Sequence, residues 1–185
     1  MDEQPRGRRW VKVLLALGCA LMAAMWVYYL FFASDKGVYR LDDTSWRAEA
    51  AQVCAAARAD LAALADTTGG FIGEPTVEQM KQRAAIVEQA TDIVEQMLDE
   101  IVAIPVDNDR DRSILDVFEE NYRKIIADRR RYAASLSAGE NVRYTETVVA
   151  GGPVSNVITD FTAGVKSNDV PECSPPNDLV NTKAP

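Results

Sequence analysis

The stretch MKQRAAIVEQATDIVEQMLDEI, residues 80–101, decides the fold. Met80, Ala84, Val87, Thr91, Val94, Leu98 and Ile101 recur in alternating steps of four and three. That spacing places all of them on one face of an α-helix, in a heptad-like seam. Acidic and amide residues, Glu78, Gln82, Glu88, Gln89, Glu95 and Gln96, occupy the other faces. Such a helix hides its seam only against other helices, so the stretch predicts a bundle. Thr76 with Gln79 fits a capping box that opens the helix, and Pro105 stops it.

Two further helices flank this one. Upstream, Trp46, Ala50, Val53, Ala57, Leu61 and Leu64 form an apolar stripe in a run rich in Ala, Leu and Arg, which Thr67, Thr68, Gly69 and Gly70 end. The connector ADTTGGFIGEPT contains GGxxG, but no strand precedes it and no Lys-Ser/Thr follows, so it reads as a helix stop rather than a phosphate loop. Downstream, DNDRDRS supplies Asp residues suited to a cap and first turn. Ile114, Phe118, Tyr122, Ile125, Tyr132 and Leu136 continue an apolar face to Gly139. Glu119 with Arg123, and Glu120 with Lys124, are i, i+4 pairs. Arg129, Arg130 and Arg131 read as cations in the last turns that complement the helix dipole, with binding of an anionic polymer or lipid headgroup as the alternative.

GENVRYTETVVAGG, residues 139–152, is enriched in β-branched residues and reads as an extended connector or a short hairpin. Pro153 then suits the first position of a short helix whose face is Val154, Val157, Ile158, Phe161 and Val165.

The N-terminal part is of another kind. VLLALGCALMAAMWVYYLFFA, residues 13–33, carries no charge and is long enough to cross the hydrocarbon core of a bilayer. Trp10 at one end and Trp26, Tyr28, Tyr29, Phe31 and Phe32 at the other resemble interfacial aromatic belts. A buried core helix would show a polar face over this length. A cleaved signal peptide would have a shorter apolar run ending in small residues. A lipoprotein would turn polar soon after Cys19, where this chain stays apolar, so Cys19 reads as an ordinary residue of the span. Arg6, Arg8, Arg9 and Lys12 precede the span; Lys36, Arg40 and Arg47 follow it among Asp35, Asp42 and Asp43. The positive-inside rule then puts the N-terminus in the cytoplasm and the rest outside.

The expected architecture is all-α: a transmembrane helix, then an antiparallel bundle of three long helices and a short C-terminal one. Its parts are a cytoplasmic tail (1–9), a membrane helix (10–33), a juxtamembrane linker (34–43), an extracytoplasmic helical domain (44–179) and a disordered tail (180–185). No internal repeat is visible.

Near the C-terminus PECSPPNDL, residues 171–179, places Cys173 in a polar, proline-rich segment. Cys54, beside Val53 on the inner edge of the first bundle helix, is the other cysteine outside the span. In an oxidising compartment two such cysteines usually pair, which would staple the tail to the bundle. A buried intracellular thiol and an intermolecular bridge are the competing readings.

VCAAARADLAAL, RRRYAASLSAGE, GPVSNVITDF and PECSPPNDL, as a set, resemble segments of small single-pass membrane proteins of high-GC Gram-positive bacteria, a group of unknown function with a helical outer domain. The likeness covers most of residues 46–179. It implies a bacterial plasma-membrane location and the cysteine pair, and brings no catalytic residues.

Function is bounded mainly by exclusion. The net charge is −8, from 20 Lys and Arg against 28 Asp and Glu, which disfavours nucleic acid as a partner. There is no histidine, so no Ser-His-Asp triad, Cys-His pair or His-containing zinc site can be built. The adjacent carboxylates Asp99 and Glu100, or Glu119 and Glu120, diverge by about 100° on a helix and do not converge on one substrate. No catalytic residue, cofactor or metal site is therefore expected. The expected role is a non-enzymatic interaction or accessory module of the cell envelope, held by the bilayer through residues 10–33 and facing an envelope protein. A sensor or small-ligand-binding domain, with the bundle core as pocket, is the alternative, and an enzyme the third.

Overall fold

The computed structural model describes residues 6–31, 37–64 and 73–179. The disordered tail expected over 180–185, the glycine-containing connector over 65–72 and part of the expected cytoplasmic tail lie outside the described residues. The chain divides into two compact units, residues 1–36 and 37–185.

The first unit holds helix α1, Arg6–Phe31. Its segment Trp10–Phe31 is 22 residues long and apolar enough to cross a membrane. At 1.5 Å per residue it extends about 33 Å, the span of a hydrocarbon core. Trp10, Leu14, Leu21, Met25, Trp26 and Phe31 are all exposed.

The second unit is a helical bundle built from α2 (Ser45–Ala63), α3 (Val77–Ala103), α4 (Asp109–Ser137) and the short α5 (Val154–Thr162). Residues 37–43, expected as linker, belong to this unit. Leu41 is buried, and its N–H donates to Asn168 Oδ1 at 2.8 Å. The Asn168 amide in turn donates to the carbonyls of Tyr39 and Phe161.

α3 buries its whole expected seam, from Met80 to Ile101, and adds Ala90 and Met97. Thr76 and Gln79 form the capping box in both directions. The helix ends at Ala103, two residues before Pro105. Asn108, rather than an aspartate, caps α4, and Asp109 and Asp111 fill its first turn. The C-terminus of α4 closes through Gly139 at φ +82°, with the Glu140 N–H bonded to the Ser135 carbonyl. α3 and α4 run antiparallel: Arg123 reaches Asp99, whereas Arg130, further along α4, reaches back to Glu88.

Four aromatic rings fill the centre of the core. Phe161 from α5 lies 4.4 Å from Phe118 and 5.9 Å from Trp46, and Phe118 meets Tyr122 edge-on at 5.3 Å. Burying each such ring contributes roughly 1.5–3 kcal/mol. A second cluster forms where Met80, Ala84 and Val87 of α3 meet Tyr132, Ala133 and Leu136 of α4, covered by Leu179.

The smaller elements depart from expectation in α2 and α5, while the connector takes the hairpin, one of its two expected forms. In α2 it is Cys54, not Val53, that is fully buried with Trp46, Ala50 and Ala57. The connector holds a two-residue hairpin, Val148–Val149 against Gly152–Pro153. Its loop residues Ala150 and Gly151 both have positive φ, as the twist of a tight hairpin requires. Pro153 caps α5 from outside, one residue before the expected place, and Val165 lies beyond the helix, almost wholly exposed.

Candidate functional site

The C-terminal segment forms a strap across the bundle. Its 3₁₀ turn, Pro171–Cys173, lies against α2, and Cys173 is joined to Cys54 by a disulfide across 119 residues. Arg58, one turn after Cys54 on α2, reinforces the join. Its Nε donates to the Glu172 carbonyl at 2.6 Å, and its Nη2 donates to the carbonyls of Pro171 and Ser174. One guanidinium thus bonds three backbone carbonyls of the strap, of which Pro171's also accepts the Ser174 N–H. From α4, the Tyr122 hydroxyl donates to the Cys173 carbonyl at 3.2 Å. Burial holds that phenol well above its ordinary pKa, so it stays a donor at any physiological pH. Further along, Asp178 takes Arg129 and Leu179 closes the second core cluster.

The three consecutive arginines of α4 do three separate jobs. α4 continues to Ser137 and its last turn itself carries no basic residue. All three guanidiniums are engaged by acids of this chain. Arg129 is buried; its Nη1 and Nη2 meet the two Asp178 oxygens at 2.7 and 2.8 Å, and its Nε donates to Thr91 Oγ1 at 3.1 Å. Arg130 lies between Glu88, Asp92 and Glu95 of α3. The hydrogen bonds it donates to Glu88 first, and then to Asp92, raise its pKa beyond the ordinary arginine range. Arg131 turns to Asp128, a buried carboxylate that also accepts the N–H and hydroxyl of Thr147 and so anchors the connector.

The acidic pairs weighed from sequence are dispersed among such partners. Asp99 and Glu119 share Arg123, Glu120 meets Lys124, and Glu100 accepts from Gln96. Neither adjacent pair converges. The convergence lies between helices: Glu88, Asp92, Glu95 and Asp99 flank the α3 seam in steps of four, three and four, and face Arg123 and Arg130, seven residues apart on α4. The acid spacing was present in the sequence; which arginines it faced required the register of the two helices.

Asp111 fixes the entry to the bundle. Its Oδ2 accepts the backbone N–H groups of Asp42 and Asp43 at 2.8 and 2.9 Å. Burial alone would raise its pKa, but the hydrogen bonds from Asp43 and Asp42, with help from Asn108 and Arg110, hold it below the ordinary value.

Among the described residues no group of three or more His, Cys, Asp or Glu could hold a metal ion. Surface notches among the described residues include two small ones. One is lined by Arg83, Gln79, Tyr132 and Asn141 among others, the second by Tyr39, Phe118, Asn121 and Val157 among others; each has room for about one water molecule. Comparison with protein-family models, with curated proteins and with solved structures finds no match to this chain.

Proposed function

We propose that the chain is a single-pass plasma-membrane protein of the bacterial envelope, anchored by residues 10–33, whose bundle acts outside the membrane as a non-enzymatic interaction module. The supporting observation is the pairing of two unlike units. One is an apolar helix of membrane-crossing length with its side chains exposed. The other is a charged helical bundle tied by a disulfide. Disulfides persist in oxidising compartments, which favours the outside for the bundle, in accord with the basic residues Arg6, Arg8, Arg9 and Lys12 before the span.

The bundle's chemistry supports binding over turnover. Many of its acids are tied to arginines, to a lysine or to backbone N–H groups, and the two notches described above each hold about one water. A sensor that used the bundle core as a pocket would need more room than these offer. The partner in this reading is another envelope protein, not nucleic acid.

The test is protease added to intact spheroplasts, followed by crosslinking in membranes with mass spectrometry. The reading expects the bundle to be digested from outside, and one envelope protein to be recovered repeatedly and competed by soluble bundle. Full protection from the protease would reverse the topology. Turnover of an envelope substrate by the purified protein would replace the binding role with an enzymatic one.

A further inference from the structure

Arg83 on α3 carries a guanidinium edge with nothing to hold. Its Nε and Nη2 are both shielded from solvent, and neither has a hydrogen-bond partner. These two groups form the side-on fork of an arginine, whose parallel N–H bonds match the two oxygens of a carboxylate. Helical neighbours do not supply a counter-charge: the residues three and four positions away, Gln79, Met80, Ile86 and Val87, include no acid. Arg129 shows what a completed arginine looks like in the same pair of helices, with Thr91 on its Nε and Asp178 across its two terminal nitrogens.

The surroundings of Arg83 favour an anion. It opens onto the notch that Gln79 and Asn141 line with amides, Tyr132 with a phenol, and Met80 and Leu136 with apolar surface. No carboxylate is among its described lining residues. Two shielded N–H donors of a cation left without an acceptor are costly, and the cost is recovered when an oxyanion arrives. The notch has room for about one water, so it must widen slightly to admit a carboxylate head, and the remainder of the ligand stays outside.

We infer that the Nε–Nη2 edge of Arg83 is a receiving site for a carboxylate, flanked by Tyr132 and Gln79 as further donors and supplied either by a small carboxylic acid or by an acidic side chain of a protein partner. The site does not depend on which side of a membrane the bundle occupies.

The experiment uses the full chain in detergent micelles, following the side-chain Nε–Hε resonances by nitrogen–proton NMR. The Arg83 signal is assigned by its loss in Arg83→Lys. Sodium acetate is titrated, with sodium chloride and sodium phosphate at matched ionic strength. The expected result is a saturable acetate-dependent shift of the Arg83 signal that chloride does not produce. Tyr132→Phe should weaken acetate binding by about threefold or more, the loss of one hydrogen bond, with the signals of Arg129 and Arg130 unmoved. N-acetyl-aspartyl amide binding more tightly than acetate assigns the source to a protein side chain; equal or weaker binding assigns it to a small acid. An Arg83 signal indifferent to acetate, or shifted equally by chloride, overturns the site. Saturation by phosphate at lower concentration than acetate overturns the carboxylate assignment.

Discussion

Arg129 and Asp178, 49 residues apart, meet end-on through two parallel hydrogen bonds, with the arginine only 1% exposed. The pair occupies the place on the α4 stripe between Ile125 and Tyr132 where a core residue belongs. A charge stands there because the strap delivers its counter-charge. Leu179, the next residue, then covers Met80, Ala84 and Val87. Charge pairing and apolar burial at adjacent positions therefore hold the same end of the strap.

Removing one partner should be far worse than removing both. Asp178→Ala strands a buried guanidinium, and about 3–5 kcal/mol of unfolding free energy should be lost. Arg129→Met combined with Asp178→Leu leaves no uncompensated charge and should recover most of that loss. Urea unfolding of the three proteins, followed by circular dichroism, checks the order. A double variant as unstable as Asp178→Ala would show that the pair itself, and not the stranded charge, carries the effect.

The disulfide holds the other end of the strap. Cys54→Ala with Cys173→Ala should cost about 2–4 kcal/mol, chiefly through the freedom returned to a long unfolded loop. Arg58, Tyr122 and the Thr162–Ser174 hydroxyl pair still position the turn after reduction. Reduced protein returned to air should accordingly reoxidise to monomer, visible on a non-reducing gel, rather than to crosslinked dimers.

Legibility of the sequence followed the range of each interaction. The α3 seam was readable because its seven positions obey one helical period and all are buried. The capping box was readable because both partners lie within three residues. Arg129 was not, because three successive arginines look alike and the acid that distinguishes one of them lies in a proline-rich segment 49 residues on. The α2 stripe was misassigned by one position, Val53 for Cys54, because period alone does not register that the bridged sulfur must face inward. Arg83 left only a negative signal, the lack of an acid one turn away on either side.

Acid should loosen the entry to the bundle through Asp111. Its folded pKa lies below the ordinary carboxylate value, so the folded state binds that proton less readily than the unfolded chain. Its stabilising contribution is complete above the unfolded pKa and is lost as pH falls through the folded pKa. Asp111→Asn should be less stable at pH 7 by about 1–3 kcal/mol, since a neutral amide replaces an acceptor of two backbone N–H groups. The same variant should lose less stability than the parent between about pH 4 and pH 2. Chemical unfolding at a series of pH values checks both parts, and parallel curves would remove Asp111 from the acid response.

Salt should reverse its effect when the arginines between α3 and α4 are removed. In the parent, Arg123 and Arg130 lie among five acids, Glu88, Asp92, Glu95, Asp99 and Glu119. Each pairing is partly exposed and worth about 0.2–1 kcal/mol, so raising ionic strength should weaken the parent slightly. In Arg123→Gln with Arg130→Gln the same five acids face one another with no cation between them. Repulsion then opposes the antiparallel packing of α3 and α4, and screening over about 8 Å at physiological ionic strength relieves it. The double variant should consequently gain stability between low salt and 0.5 M sodium chloride, where the parent loses it or stays level. Thermal midpoints across a salt series decide the matter. A variant whose midpoint falls with salt as the parent's does would mean that the acids are too well solvated to repel, and that the register of the two helices rests on the apolar seam alone.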